Sequence, residues 1–456
     1  MMPALDLAAV ASVVDAPYTG PALPLHHLCI DSRRCLPGDL FVALRGERVD
    51  GHRFVEDAAR AGAAAALVEE GVEASLPCLR VADSGAALAA VGAANRRAYE
   101  GELLAITGSC GKTSVKNLCA AIFSGCAATV ATAGNYNNEL GVPLTLSRLE
   151  AETRYAVIEM GAAGRGHIAH LCDLARPRVS TVLNAMEAHL SGFGSVADVA
   201  DIKAEIYDGL DSGGVGVVNL DQPWAAQWQE RVRAAGATVL TCSLDGEAEV
   251  CARDVQLRGL APTRFTLCAA GEQVLAELPL PGRHNLANAL AAAALAVACG
   301  LPLGAIAEGI ARVAAEPGRL APVTLADGTV VIDDSYNANP GSVRAAIELL
   351  AATPGHRALV LGEMLELGAD SARYHHEMGE LAAARGIDDF WGVGEALAPA
   401  VRAFGDRGQL FADRDAVRPA LAALLQRSDT VLVKGSRGAA MEQLLVSLPE
   451  NPGVHA

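Results

Sequence analysis

Within the first 83 residues the chain carries short apolar runs (LHHLCI, DLFVAL, AAALVEE, CLRVA) separated by Pro/Gly turns, which predict short strands with one Ala-rich helix among them. Ser84–Tyr99 is Ala-rich and helical in character. From Leu103 strand-length apolar runs (LLAIT, YAVIEM, VSTVLN, VGVVNL) alternate with helical stretches after Thr113, near Ile168 and around Val199–Leu210. Runs that are apolar at consecutive positions predict a parallel sheet covered on both faces. Val239–Leu280 is richer in strands, and Asn285–Ala298 is a long Ala-rich helix.

A second alternating section follows the Glu316–Pro317–Gly318 break. It reads TVVIDD strand, helix from Ser342, RALVLG strand, helix around Tyr374–Arg385, DFWGVG strand, helix, TVLVKG strand and a final helix. This rhythm predicts an open doubly wound sheet, whose ligands gather at the carboxyl ends of strands. The expected fold class is α/β in three domains: a small α/β unit over 1–83, a central parallel-sheet unit over 84–314 and a Rossmann-like unit over 315–456. The length of 456 residues agrees, at about 150 residues per domain. No internal repeat of 20–50 residues stands out, which argues against a solenoid.

Composition narrows the class. With 51% hydrophobic and 20% charged residues the chain is globular. Aromatics are only 4%, so the cores must be mostly Ala, Leu and Val. A net charge of −17 repels nucleic acid and anionic lipid, so any bound anion needs a local site. Eleven cysteines without a C-x-x-C pair fit reduced thiols of a cytoplasmic protein better than a disulfide framework or zinc ribbon. The start, MMPALDLAAVASVVDA, has an early Asp6 and no basic region, unlike a signal peptide. The most apolar stretch, Leu286–Leu301, is too short and too weakly hydrophobic to span a bilayer.

The strongest local signal is Leu103–Phe123, an apolar strand running through Gly108-Ser109-Cys110-Gly111-Lys112-Thr113-Ser114 into a helix. Glycines let backbone N–H groups turn inward, Lys112 supplies a point charge, and the helix N-terminus adds its dipole; together these bind phosphate. The Thr113 hydroxyl is placed to ligate Mg²⁺ between the β- and γ-phosphates. The loop is compact, because the usual first glycine position is Ile106. It specifies ATP or GTP without naming the reaction.

Glu159 closes YAVIEM before a turn with glycines at 161, 164 and 166, and is a hard oxygen ligand suited to Mg²⁺. Asn184 ends VSTVLN, His189 follows shortly after, and Lys203 lies on a predicted helix. Taken singly, His189 reads as a hydrogen-bonded structural residue and Lys203 as a surface lysine. His375-His376-Glu377 is a solvated helix stretch, and His167-x-x-His170 lacks a third ligand for zinc.

These segments occur jointly in an order that resembles the Mur ligases, which assemble the peptide stem of peptidoglycan. The resemblance runs through DSRRCLPGDLFVALRGERVDGHRF (Asp31–Phe54), TGSCGKTS, GNYNNELGVPLT (Gly134–Thr145), Glu159, NAMEAHLSGFGS and KAEIY. It continues through LPGRHNLANALAA (Leu280–Ala292), EPGRL, DDSYNANPGS (Asp333–Ser342), LGEMLELG and KGSRGAAME (Lys434–Glu442), so that it spans nearly the whole chain. GNYNNELGVP and DDSYNANP are most similar to the family member that adds D-alanyl-D-alanine to UDP-N-acetylmuramoyl-tripeptide. The resemblance implies an ATP- and Mg²⁺-dependent amide ligase that forms an acyl phosphate; the cysteine usage points to the cytoplasm, and a monomer is the default expectation. A sister ligase adding diaminopimelate or lysine, or a folylpolyglutamate synthase, is the alternative. A P-loop switch or a non-catalytic scaffold is a more distant one.

The resemblance also assigns residues. Gly108–Ser114 hold ATP, with Lys112 and Thr113 on the β/γ-phosphates and the first Mg²⁺, and Glu159 as a further ligand. His189 helps hold a second Mg²⁺, and Lys203 matches a lysine that is carbamylated in the family, so that an ammonium becomes an anionic metal ligand. Asn288, with His284 and Asn285, matches the adenine-contacting region; capping and packing are the alternative for these. Arg319 matches a phosphate-contacting arginine and Asp334 a ribose-binding carboxylate, with Tyr336, Asn337 and Asn339 on the same loop; Asp333 reads as a structural strand-end acid. Ser32, Arg33 and Gly46 match the part that recognises the uridine nucleotide, Arg33 as a plain surface residue being the alternative. Asn137, Asn138 and Glu139 are placed near the peptide substrate, and Lys434, Ser436 and Arg437 near the incoming dipeptide. The first unit thus becomes a UDP-sugar-binding domain and the second a P-loop ATPase domain.

Overall fold

The computed structural model describes residues 6–46, 49–69, 72, 74–187, 194–446 and 448. Three sheets organise it. The first consists of β1 (Leu28–Cys29), β2 (Leu40–Val42), β3 (Ala65–Val68) and β4 (Cys78–Arg80), all parallel and in that order. Alternate side chains enter different cores: Leu40, Val42 and Leu67 on one face, Phe41, Ala66 and Val68 on the other. Two short helices, Leu7–Val13 and Val55–Ala61, stand where the pattern predicted one.

The central sheet has nine strands: β5 (Glu102–Thr107), β6 (Thr129–Ala131), β7 (Tyr155–Glu159), β8 (Val179–Val182), β9 (Val215–Asn219), β10 (Thr238–Ser243), β11 (Val250–Arg258), β12 (Ala261–Ala269) and β13 (Glu272–Leu278). Their order is β13-β12-β11-β10-β9-β8-β5-β7-β6, parallel from β6 to β11 and antiparallel through β12 and β13. On β5, Leu104 and Ile106 face the core under helices Lys112–Ser124 and Arg283–Ala298, while Leu103 and Ala105 face the core under helices His167–Ala175 and Val196–Asp208. Both faces being dry explains why the strand reads as one apolar run. Helix Val196–Asp208 starts where Ser195 and Asp198 cap each other's backbone reciprocally.

The third sheet contains β14 (Ala321–Thr324), β15 (Val330–Asp334), β16 (Arg357–Gly362), β17 (Asp389–Val393), β18 (Gly408–Phe411) and β19 (Thr430–Lys434), in the order β14-β15-β19-β16-β17-β18. Only β14 runs antiparallel. The chain steps from β15 over β19 to β16, which makes a topological switch point at the carboxyl ends of these strands. The helix predicted from Ser342 begins at Pro340, because Asn339 caps it and proline suits the first turn. The final helix is not found among the described residues: one-turn segments Arg437–Ala439 and Met441–Leu444 follow β19 instead.

Candidate active site

The phosphate loop hangs between three adjacent strand ends, those of β8, β5 and β7. Gly111 adopts φ +83°, and a Cβ there would lie 2.4 Å from Asn288 Oδ1, so the loop needs glycine and rests on Asn288. Asn184, just past β8, clamps the loop. Its Oδ1 accepts from Cys110 N at 2.9 Å, and its Nδ2 donates to the Cys110 carbonyl at 3.1 Å. Ser109 Oγ accepts from Met186 N at 3.0 Å. Lys112 Nζ folds back to donate to the Gly108 carbonyl at 2.7 Å.

Beside the loop stands a buried carboxylate. Glu159 is 2% exposed, accepts from the Thr113 hydroxyl at 3.0 Å on Oε2 and from Asn137 Nδ2 at 2.7 Å on Oε1. Both donors are neutral. Among the described residues no three His, Cys, Asp or Glu side chains converge as a metal cluster. An ion here would depend on Thr113, Glu159, substrate phosphates and water, which is how Mg²⁺ is usually held. The donor set fits.

Lys203 is 4% exposed. Burial, and then the nearby Lys112 ammonium, bring its pKa down to about 7. The surface-lysine alternative is therefore excluded. His189 lies outside the described residues.

The third sheet's unit completes the site from across the interface. Arg319 Nη2 donates to Thr113 Oγ1 at 3.0 Å, and its guanidinium lies 4.0 Å from the centroid of the Tyr336 ring. Asn117 Nδ2 donates to Glu316 at 3.1 Å, and Asn339 Nδ2 donates to Cys110 Sγ at 3.0 Å. A narrow cleft of about 10 Å³ opens at this seam, lined by Ser114, Asn117, Asn285, Glu316 and Arg319. A larger cavity of about 430 Å³, lined by Arg96, Glu102, Arg176 and Arg178, lies at the opposite, amino ends of β5 and β8.

The other predicted residues make contacts within the protein. Lys434 pairs with Asp334 at 2.6 Å and donates to the Asn337 carbonyl at 2.9 Å. Burial pushes the Asp334 carboxyl up while the Lys434 ammonium pulls it back. Ser436 Oγ donates to the Ala338 carbonyl at 3.1 Å and accepts from Leu365 N at 2.9 Å. These side chains thus build the Asp334–Ala338 loop. Burial, with Lys434 nearby, holds His284 down at about 4. Asp333 accepts from Gly318 N and Ser335, a structural role. Asn138 accepts from Gly141 N at 3.0 Å, and Glu139 is exposed. Ser32 and Arg33 form a one-turn helix on the first sheet, and Gly46 N donates to the Val49 carbonyl.

Sequence reasoning missed Lys116. It is 4% exposed, four residues after Lys112 on the same helix face, and its Nζ donates to the Gly134 carbonyl at 3.2 Å. It thereby anchors the loop that carries Asn137. Its spacing from Lys112 was the available signal.

Comparison with known proteins agrees with this architecture. Residues 24–100 match the Mur ligase family, catalytic domain; residues 106–296 match the Mur ligase middle domain; and residues 318–437 match the Mur ligase, glutamate ligase domain. A curated Escherichia coli (strain K12) protein named UDP-N-acetylmuramoyl-tripeptide--D-alanyl-D-alanine ligase is 43% identical over 452 residues, 99% of each chain. The chain belongs to the Mur ligase family. The crystal structure of MurF from Acinetobacter baumannii superposes on this Mur ligase with a TM-score of 0.89 at 32% identity, covering 97% of this chain and 98% of that one. MurF ligase from Thermotoga maritima, solved in complex with ADP, has a TM-score of 0.78 at 26% identity, covering 93% and 97%.

Proposed function

We propose that this Mur ligase joins D-alanyl-D-alanine to UDP-N-acetylmuramoyl-tripeptide at the expense of ATP, giving the pentapeptide precursor of peptidoglycan. The observation that carries the chemistry is the meeting of Thr113, Glu159 and Arg319, from two units of the fold, at one phosphate loop. The identity of the substrates comes from full-length likeness to a ligase of that name. Among the described residues no helix is long and apolar enough to cross a membrane. A cytoplasmic, monomeric enzyme acting on small precursors belongs to the same reading, as does the division into 1–83, 84–314 and 315–456. Helix Ser84–Ala98 would be the joint between the first two units, since Ala87, Leu88 and Val91 pack on the first sheet's core.

Transfer of the γ-phosphoryl group to the tripeptide carboxylate, followed by attack of the dipeptide amine and loss of phosphate, requires charge neutralisation, alignment and dryness. In this reading the Gly108–Ser114 backbone cradles the phosphates, and Lys112 exchanges the Gly108 carbonyl for phosphoryl oxygens. Thr113 and Glu159 would hold Mg²⁺, which when bound neutralises phosphoryl charge. Arg319 brings a further cation to the same oxygens and closes the seam against water. Burial and the Lys112 ammonium favour the neutral amine of Lys203, the form that takes up CO₂, and its carbamate would add a second anionic ligand. Asn288 supports the loop, and Asn285 with Ser114 lines the adenine side.

ADP release is the test. It should require both UDP-MurNAc-tripeptide and D-Ala-D-Ala, with mass spectrometry showing the pentapeptide. ADP release that needs neither peptide nor amine would favour a P-loop switch, and release with diaminopimelate or lysine in place of the dipeptide would favour the sister ligases. For the carbamate, ¹³C-bicarbonate should give a bound carbamate resonance that Lys203→Arg abolishes.

A further inference from the structure

Glu316, Pro317, Gly318 and Arg319 form a tight turn immediately before β14. Proline at its second position and glycine with φ +75° at its third suit a type II turn, and Arg319 N donates to the Glu316 carbonyl at 3.0 Å. The turn is tied to the third sheet, because Gly318 N donates to Asp333 Oδ2 at 3.0 Å and the Gly318 carbonyl accepts from Tyr336 N at 3.0 Å. Closing the turn brings together the side chains at its two ends, with Arg319 Nε 3.5 Å from Glu316 Oε2.

Both ends reach across the seam to one face of helix Lys112–Ser124, where Thr113 and Asn117 stand four residues apart. Thr113 Oγ1 accepts from Arg319 Nη2 at 3.0 Å, and Asn117 Nδ2 donates to Glu316 Oε2 at 3.1 Å. One carboxylate oxygen thus serves Asn117 on the helix and Arg319 on the turn. Arg319 is located by three groups: Thr113 at Nη2, the Tyr336 ring 4.0 Å from the guanidinium carbon, and Glu316 beside Nε. That Nε is buried and has no hydrogen-bond partner among the described residues, so the Glu316 charge is what acts on it. A guanidinium is a rigid plane, and restraints on its face and on two of its nitrogens fix its orientation. Of the three groups, Glu316 alone carries a charge opposite to that of Arg319. A carboxylate beside a phosphate site works against a bound anion, and pairing with Arg319 is what that position gains.

We propose that Glu316 is a positioning residue for the ligase reaction: held by Asn117, it sets the angle at which Arg319 meets the phosphoryl oxygens. The proposal rests on the reading of Arg319 as a cation for those oxygens. Glu316 acts through Arg319 and touches no reacting atom itself.

A double-mutant cycle tests it, read as kcat for ADP release by the full-length enzyme with ATP and both peptide substrates saturating. Glu316→Gln keeps the shape and an acceptor for Asn117 but removes the charge beside Nε. It should lower kcat roughly tenfold, with the KM for ATP changed less than about twofold and thermal unfolding that of the wild type. In an Arg319→Ala background the same substitution should change kcat by less than about twofold, since no guanidinium remains to be positioned. A fall of equal size in both backgrounds would give Glu316 a merely structural role and overturn the proposal. Wild-type or raised kcat in Glu316→Gln, with Arg319→Ala impaired, overturns it as well and leaves the reading of Arg319 standing. Wild-type kcat in Arg319→Ala overturns the reading of Arg319 itself, and the positioning role with it.

Discussion

Glu159 and Asp334 occupy equivalent places in two different sheets, and their surroundings are opposite. Each ends a parallel strand at its carboxyl edge, β7 in the central sheet and β15 in the third. Glu159 has a hydroxyl and an amide for company and, among the described residues, no cation at ion-pair distance. Asp334 has the Lys434 ammonium at 2.6 Å. A buried carboxylate bonded only to neutral donors, with the Lys116 ammonium acting on it from beyond ion-pair distance, has its charge only partly compensated, which is costly unless a cation arrives. One whose counter-ion the fold supplies is already complete. The difference separates a site that waits for a ligand from one that braces a loop, although both residues are carboxylates at strand ends.

Substitutions should therefore separate turnover from stability. The largest expected effect is on Glu159→Gln, which keeps the shape but not the charge: kcat for ADP release should fall roughly 10³-fold, while the metal-free enzyme should unfold at a higher temperature, not a lower one. Lys434→Met should do the reverse, costing about 3 kcal/mol in denaturant unfolding by stranding Asp334, and Asp334→Asn added to it should restore much of that loss. Arg319→Ala should lower turnover roughly 100-fold while leaving the fold intact, and near-normal turnover would refute its role. Gly111→Ala should be the mildest, about 1–2 kcal/mol of left-handed strain, with a raised KM for ATP because the new methyl displaces Asn288.

What the sequence disclosed was what local pattern can carry. The strands LLAI and YAVIE were legible because both faces are buried, and Lys112, Thr113 and Glu159 because strand ends and a glycine loop announce themselves. Strands β14 and β18 at the sheet edges and the polar helix Ala225–Ala234 were not, since packing rather than periodicity makes them. Contacts that depend on a distant partner were not legible. Asn137, expected near the peptide, also grips Glu159; Lys116 was passed over; and Lys434, expected near a substrate, has as its partner Asp334, 100 residues away. The bond from Arg319 to Thr113 crosses 206 residues of sequence, and only the folded seam reveals it.

Manganese binding followed by electron paramagnetic resonance, in the presence of a non-hydrolysable ATP analogue, puts the contrast between the two carboxylates to its most direct trial. The wild type and Asp334→Asn should both bind the ion with the nucleotide, and Glu159→Gln should lose most of that affinity. Undiminished manganese binding by Glu159→Gln would contradict the assignment of Glu159 as the carboxylate that receives the cation.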